Sequence, residues 1–541
     1  MQAEDAFGRL RRLAADDMPA RVYRLVAAAL VLLAVVPQWL SRTIPDTAWL
    51  LYVAGRVVDG ARLYVDLVDV NPPLVVWLNV PVVLAARAAG LSDVLAYRSF
   101  VLLLALVSVA ACGRVLREPL REAPGLRRWL LLLLVFALLT LSREDYGERE
   151  HLMLALALPY VLLGVTRLKR EPVPWGLAAA AGLAAGVGIA LKPYFVGLWL
   201  AREACLLLWL GRGYRLRLES LLVVLVCTAY LAAVALWSRE YFDVVRLMAG
   251  PYHTFLRNSL AATALLGDGA AVPLAAMLGY AALRRHAGRP ELWAVLAAAT
   301  AGLYLSAVLQ QKGWRYHYYP SIATGVMLLG LMALDHRRPL AGLAARAYAF
   351  IAAGVTITLG LWTVLACIVQ ALDPHHSRYD ADPDVARLVP AVRERAGDGG
   401  FMVLSWSMAS AFPLATYSGA RSVSRFNHLW IPGAVYRDAI YGEGPLRYRA
   451  REEMGPLERY LGDAVVEDLE AGQPRLLLVL RPAPDQPGWG LRRLDFLKYF
   501  GQDPRFARLF ARYRYVEMIG EYWLFERLPV GAPDEPPRRK E

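Results

Sequence analysis

Apolar residues fall in long, nearly unbroken runs along the first two thirds of the chain, and only past Asp373 does the pattern shorten to the periods of water-soluble elements. Runs such as Leu25 to Leu40, Trp175 to Leu191, Leu292 to Leu309 and Tyr348 to Leu372 have the length a helix needs to cross about 30 Å of hydrocarbon, at roughly 20 residues per crossing. They predict membrane spans. Beyond Asp373, residues Pro383 to Ala396 carry the spacing of an amphipathic helix. Phe401 to Ser405 and Arg475 to Leu480 read as short buried strands, and Tyr513 to Ile519 with Glu521 to Leu528 as a hairpin turning at Gly520. The expected architecture is a polytopic α-helical membrane protein with about eleven transmembrane helices and a C-terminal soluble α/β domain. The expected divisions are 1–372 for the membrane domain, 373–529 for the soluble domain and 530–541 for a Pro-rich, charged, disordered tail. No internal repeat is evident.

The polar segments between the runs set the orientation, because cytoplasmic loops hold the excess of Lys and Arg. The basic segments are Arg114 to Arg128, Arg167 to Arg170, Arg212 to Arg217, Arg284 to Arg289 and Arg337-Arg338; the acidic ones are Arg42 to Asp93 and Ser142 to Glu150. All the basic loops fall on one side only if Pro73 to Ala89 does not cross. Its Pro72, Pro73, Pro81, Trp77 and Asn79 suit a helix lying along the outer surface. The odd number of crossings then puts the N-terminus in the cytoplasm and the C-terminal domain outside. Leu130 to Leu141 and His151 to Val165 are short for full crossings. The Arg-rich start (Arg9, Arg11, Arg12, Arg21, Arg24) leads into the first run with no small-residue cleavage site after it, as in a retained signal-anchor.

Composition agrees: 57% of the 541 residues are hydrophobic. The net charge of +13 is explained by the arginines of the short inner loops, so no nucleic-acid partner is implied. Cys112, Cys205, Cys227 and Cys367 all fall in or beside membrane segments, which speaks against disulfides and Cys-based metal sites.

The chemistry-bearing residues cluster in the outer loops. The first reads Ile44-Pro45-Asp46-Thr47-Ala48-Trp49, then Gly60-Ala61-Arg62-Leu63-Tyr64-Val65-Asp66, then Asn71-Pro72-Pro73-Leu74. Asp46 follows the first span directly, where a carboxylate can take a proton from an attacking hydroxyl; the plainer alternative is a helix cap. An Asp directly after the first span, a Gly-x-x-x-Tyr-x-Asp stretch and a Pro-Pro-Leu surface helix together resemble the first periplasmic loop of GT-C glycosyltransferases. The protein O-mannosyltransferase (family 39) and lipid A aminoarabinose transferase group is the most similar in this respect. The resemblance implies a GT-C-like membrane domain with periplasmic juxtamembrane helices, in the bacterial inner membrane. It implies an inverting enzyme that takes a sugar from a polyprenyl-phosphate donor to a glycan, lipid or protein acceptor, with Asp46 as base and with Tyr64 and Asp66 beside the sugars. It implies no cofactor, without excluding a divalent metal; the His375-His376 pair lacks further nearby ligands.

The second outer loop, Ser142-Arg143-Glu144-Asp145-Tyr146-Gly147-Glu148-Arg149-Glu150-His151, offers several acids. Glu150 and His151 are the candidates to orient an acceptor or tune Asp46, against a solvated charged loop favoured by the helix dipole. A lipid-phosphate leaving group needs cations. Lys192, in Leu191-Lys192-Pro193-Tyr194, and Lys312 and Arg315, in Gln310 to Pro320, can supply them, with Tyr316 and His317 facing a sugar. For that stretch the alternative is an interfacial aromatic belt with snorkelling cations, which accounts for Trp314 and Tyr319. Tyr241 to Leu256 reads as an amphipathic segment able to cover a cleft, and Asp268 as a cap.

Two other readings stand beside the enzyme. A transporter or flippase of lipid-linked sugars places ionisable residues deep in its helices, whereas here they gather in outer loops. A non-catalytic anchor displaying the C-terminal domain has little need of so many spans.

Overall fold

The computed structural model describes residues 19–335, 343–373, 383–483 and 490–529. Arg9, Arg11 and Arg12, Arg337-Arg338, His375-His376 and the expected tail at 530–541 lie outside the described residues. The protein is largely helical. Among the described residues eight helices are long and apolar enough to cross a membrane: Ala20–Leu40, Asp93–Val115, Arg149–Leu168, Pro193–Gly213, Leu218–Trp237, Pro290–Leu309, Arg315–Leu334 and Phe350–Leu372. Leu260–Leu266 and Ala271–His286, bent by 76° at their break, make a ninth if they cross together. All four cysteines are free and sit within these helices.

Neither of the two short segments is as short as the sequence suggests. His151 to Val165 belongs to a helix running from Arg149 to Leu168, because charged Arg149 and Glu150 form its first turn rather than a solvated approach. Leu130 to Leu141 extends back to Pro124, whose fixed φ suits a first helical position. It runs on through a π-helical turn at Phe136–Thr140. Asp268 is not the N-cap: it lies in the break before Ala271–Leu283, whose N-cap is Ala270.

The chain divides into two compact units. The first comprises the described parts of Met1–Ser41, Gly90–Ala233 and Asn258–His376. At its centre Arg149–Leu168, Pro290–Leu309 and Arg315–Leu334 are buried along most of their length, while helices such as Leu218–Trp237 expose Leu225, Leu231, Leu236 and Trp237, as lipid-facing helices do. Small residues bring backbones close, the usual device where lipid removes the hydrophobic drive between helices. A Cβ on Gly302 would lie 2.5 Å from the Gly197 carbonyl oxygen and 2.6 Å from the Ala201 Cβ. Gly302→Val is therefore expected to destabilise the protein by about 1–3 kcal/mol through overpacking, read as a fall in the thermal midpoint in detergent; an unchanged midpoint would mean the two helices are free to separate.

Ionisable side chains also lie inside these helices, contrary to the expectation that they gather only in loops. Arg202 and Glu203, in the Pro193–Gly213 span, are buried. Arg202 reaches Glu203 at 2.5 Å and Glu219 at 3.5 Å, while Arg167 grips both oxygens of Glu219 at 2.9 Å. Tyr160, Ser220 and Tyr214 also donate to Glu203, at 2.9, 2.7 and 2.9 Å. Two cations face two anions and each carboxylate is hydrogen-bonded, the condition under which buried charge is tolerated.

The second unit comprises Arg42–Ala89, Val234–Arg257 and the described residues from Ser377 onward. Its sheet has the order β1-β2-β4-β3, with β1 Phe401–Leu404, β2 Leu476–Leu480, β3 Tyr513–Ile519 and β4 Tyr522–Arg527. β1 and β2 run parallel and are buried throughout, as expected of continuous apolar strands covered on both faces. β4 is antiparallel to both β2 and β3. The hairpin turns at Gly520, which needs φ +57° and a side-chain-free approach to Asp384, whose carboxylate accepts from Glu521 N at 2.7 Å. Pro383–Ala396 is helical as predicted, and Pro456–Gly472 adds a helix between β1 and β2.

The segment after the first span packs within this unit. Val68 N donates to Arg425 O at 2.7 Å, Thr43 N to the Tyr417 hydroxyl at 2.7 Å, and the Tyr52 hydroxyl to Ser422 O at 2.9 Å. Tyr241 to Leu256 forms the helix Glu240–Thr254, at whose end Tyr252 packs edge-on and Phe255 packs tilted against Trp430, at 5.2 and 5.8 Å. Its inner side is part of this unit's core.

Candidate functional site

In the first unit three connections meet. One is the turn before Arg149–Leu168: a 3-10 turn at Arg143–Asp145, then Gly147 at φ +84°, then Glu148 as N-cap. Gly147 is required, because a Cβ there would press on the Tyr97 ring at 2.7 Å. The second is Lys192, extended between Trp175–Ala190 and the 3-10 turn Pro193–Phe195. The third is Gln310 to Trp314, where Gln311 and Gly313 at positive φ reverse the chain and Asn258 holds Lys312 O at 3.0 Å. The helices that open here at Arg149 and Arg315 turn their N-terminal dipoles, which favour negative charge, toward this region.

Glu150 has no solvent exposure and Lys192 is 7% exposed; Lys192 Nζ donates to Glu150 Oε1 at 2.5 Å. His317 Nε2 stands 3.8 Å from the same oxygen. The Tyr316 ring packs edge-on against His317 at 4.3 Å, and Lys192 Nζ lies 5.2 Å from the Tyr316 centroid. Trp314 stacks on Tyr316 at 5.7 Å and receives Lys312 Nζ at 5.7 Å. Among the described residues two buried atoms of this group, Glu150 Oε2 and His317 Nδ1, have no hydrogen-bond partner. Buried polar atoms are rarely left so.

The charged loop is thus not a solvated one: Glu144, Asp145, Glu148, Arg149, Glu150 and His151 are all buried. Nor is Gln310 to Pro320 an aromatic belt facing lipid, since Lys312, Tyr316, His317 and Tyr319 are buried and the Tyr319 hydroxyl donates to Ala137 O at 2.8 Å. Packing between loops, invisible to local sequence, overrides both alternatives.

The sequence candidates separate by what their polar atoms do. Glu150, Lys192, Lys312, Tyr316 and His317 come together. Arg315, half-buried, acts through its charge on Asp145. His151 accepts from Gly147 N at Nδ1 (2.9 Å), so its Nε2 carries the proton and donates to Leu138 O at 2.7 Å. Both ring nitrogens hold backbone, and His151 serves the shape of the loop.

In the second unit Asp46 is half-buried in the first turn of Pro45–Val58, where Ile44 is the N-cap, so Asp46 is not the capping residue. Tyr64, buried at φ +70°, donates its hydroxyl to Asn71 O at 2.7 Å. Asp66 accepts from Arg62 N at 2.8 Å and pairs with the exposed Arg62 side chain at 3.3 Å. Trp49 and Asn71 both bond Asp69. Tyr64, Asp66 and Asp69 thus shape the connection that follows the Asp46 helix, and Asp69 ties it back to Trp49 of that helix.

Asp145 is not among the acids the sequence singles out in this loop, yet burial pushes its carboxyl up to about 7, helped by Glu144 and Glu150 and opposed by Arg315 and Arg143. Its folded pKa lies above the ordinary 3.8, so the stability from the protonated acid is present at low pH and is lost as pH rises through about 7. Asp145→Asn is expected to raise the thermal midpoint more at about pH 8 than at about pH 4; the opposite order would mean that Arg315 holds Asp145 ionised. The Arg202-Glu203 pair also carried a readable signal, two charges inside an apolar run.

Among the described residues no group of three or more His, Cys, Asp or Glu side chains is placed to hold a metal ion. Compared with known proteins, the chain matches no family model and no curated protein.

Proposed function

We propose that the chain is a GT-C-type glycosyltransferase that moves a sugar from a polyprenyl-phosphate donor to an acceptor hydroxyl on the periplasmic side of the bacterial inner membrane, with inversion at the anomeric carbon. The observation that carries the reading is the buried group of Glu150, Lys192, Lys312, Tyr316 and His317, with cations and unsatisfied polar atoms where a solvated loop would need neither. The resemblance of the first loop supplies the reaction class.

In this reading about eleven crossings come from the nine long or paired helices together with the shorter Trp175–Ala190 and the helix from Pro124 through Thr140. Leu74–Ala89 lies along the outer surface. The basic loops are then cytoplasmic, and the second unit is periplasmic. Asp46 takes the proton from the acceptor hydroxyl as its oxygen bonds to C1. The bond from C1 to the phosphate oxygen breaks, and its electron pair leaves with polyprenyl phosphate. Lys192, Lys312 and Arg315 stabilise the charge growing on that phosphate, and Tyr316 and His317 face the sugar.

A transport reading gains support from one feature, the Arg167, Arg202, Glu203 and Glu219 network inside the spans. Its groups satisfy one another, which suits a structural tie better than a substrate path. Proteoliposomes given a labelled polyprenyl-phosphate sugar and a candidate acceptor decide between them. The glycosyltransferase forms glycoside and frees polyprenyl phosphate; labelled lipid crossing the bilayer with no glycoside formed would overturn the proposal in favour of transport.

A further inference from the structure

We propose that Tyr417 and Phe412 are positioning residues for Asp46: the chain between β1 and Pro456–Gly472 holds the start of the helix Pro45–Val58 on both sides of Asp46 and so sets where its carboxylate stands. This inference rests on the glycosyltransferase reading and on Asp46 as its general base. Ile44, the N-cap of the helix, has an apolar side chain and makes no capping hydrogen bond, although helix starts are commonly held by Ser, Thr, Asp or Asn at that place. Here a hold comes from far along the chain. Thr43, the residue before the cap, is buried and donates its N–H to the Tyr417 hydroxyl at 2.7 Å. The Arg42 guanidinium lies 6.0 Å from the centre of the Tyr417 ring. Tyr417 is itself fixed: it belongs to the short helix Leu414–Ser418, and Arg393 of Pro383–Ala396 donates to its carbonyl oxygen at 2.7 Å.

The second hold lies beyond Asp46. Trp49 packs edge-on against Phe412 at 4.8 Å, and Tyr52 packs tilted against the same ring at 5.1 Å. Both Trp49 and Phe412 are buried, and the Tyr52 hydroxyl donates to Ser422 O at 2.9 Å. Residues three apart share a helix face, so the Trp49 contact fixes the rotation of the face that carries Asp46, while the Thr43 contact fixes where the helix begins.

A general base works only within hydrogen-bond reach of the hydroxyl it deprotonates, and a misplacement of about 1 Å lowers turnover about 10²-fold. The residues from Ser377 onward are therefore part of the catalytic apparatus, not a module displayed by the membrane helices. They act on the proton transfer through Asp46 and leave the phosphate to Lys192, so their loss falls on turnover and spares donor binding.

The test is steady-state kinetics of the full-length protein with a polyprenyl-phosphate sugar that the wild type turns over, comparing Tyr417→Phe alone and in the Asp46→Asn background. Tyr417→Phe keeps the ring beside Arg42 and removes only the oxygen that accepts from Thr43 N. The expected result is a kcat per folded molecule lower by about 10–10²-fold. KM for the donor and affinity for farnesyl phosphate, a short prenyl phosphate monoester, stay unchanged, and the Asp46→Asn background shows no further fall. Wild-type kcat overturns the inference even if the thermal midpoint drops, since Tyr417 would then support the fold alone. A fall of the same size in the Asp46→Asn background, or one confined to KM, overturns it too, because Tyr417 would then act without Asp46. If Tyr417→Phe does not fold, Phe412→Leu is held to the same outcomes. Full turnover by Asp46→Asn removes the base and this inference together while glycosyl transfer stands; failure of the folded wild type to form glycoside from any polyprenyl-phosphate sugar would instead remove the glycosyltransferase reading itself.

Discussion

Asp46→Asn is expected to abolish sugar transfer while leaving the protein folded and in the membrane. The substitution keeps the shape of a half-buried side chain in the first turn of Pro45–Val58 and removes only its charge and basicity. Two costs can be compared. A first-turn carboxylate interacts with the helix dipole by about 0.3–1 kcal/mol, and the N-cap position belongs to Ile44 rather than to Asp46. Loss of a positioned general base lowers turnover by about 10²–10⁴-fold. The variant should therefore show a near-normal thermal midpoint and farnesyl phosphate affinity with transfer reduced to background. Wild-type turnover in it would remove Asp46 from the chemistry and, with it, the main content of the resemblance.

Lys192→Met should be the most damaging single change to the folded state. It leaves Glu150, which has no exposure, without its 2.5 Å partner, and breaking a buried pair from one side costs about 3–5 kcal/mol. Removing both charges together is much milder, so the double change Lys192→Met with Glu150→Gln should recover most of the loss. Thermal unfolding of the two single variants and the double variant gives the coupling. Additive losses would mean the pair contributes nothing as a pair. The double variant carries a second expectation: stability returns but prenyl phosphate binding does not, because the cation is gone.

What the sequence reveals here follows from how local each feature is. Most of the long spans, Pro383–Ala396, the apolar cores of β1 and β2, and the β3-β4 hairpin at Gly520 are written in runs, periods and a turn residue, and they lie where those signals put them, whereas Trp175–Ala190 is a shorter apolar helix than its run suggests. The loop docking is not local. Nothing in Val65-Asp66-Leu67-Val68 announces that Val68 pairs beside Phe426, so the packing of this segment into the unit of the C-terminal sheet emerges only from the fold.

The site divides in the same way. Lys192, Lys312 and Arg315 are legible in the sequence as the cations a leaving phosphate needs, and Glu150 as an acid opening a helix. That Ser142 to His151 is buried could not be read, because a run of charges looks solvated until other loops cover it. Adjacency in the sequence makes His151 a candidate alongside Glu150, yet helical geometry turns them to different tasks: Glu150 meets Lys192, and His151 closes on Gly147 and Leu138. A glycine four residues before a histidine was the available clue.

The most direct measurement is a donor screen. Purified full-length protein is incubated with a panel of polyprenyl-phosphate sugars, with and without acceptor, and free polyprenyl phosphate is quantified for the wild type and for the stability-restored Lys192→Met, Glu150→Gln variant. Acceptor-dependent release from one donor by the wild type, lost in the variant, is the predicted result. Release that is equal in the two proteins would contradict the assignment of the phosphate to Lys192, and no release from any donor would contradict glycosyl transfer.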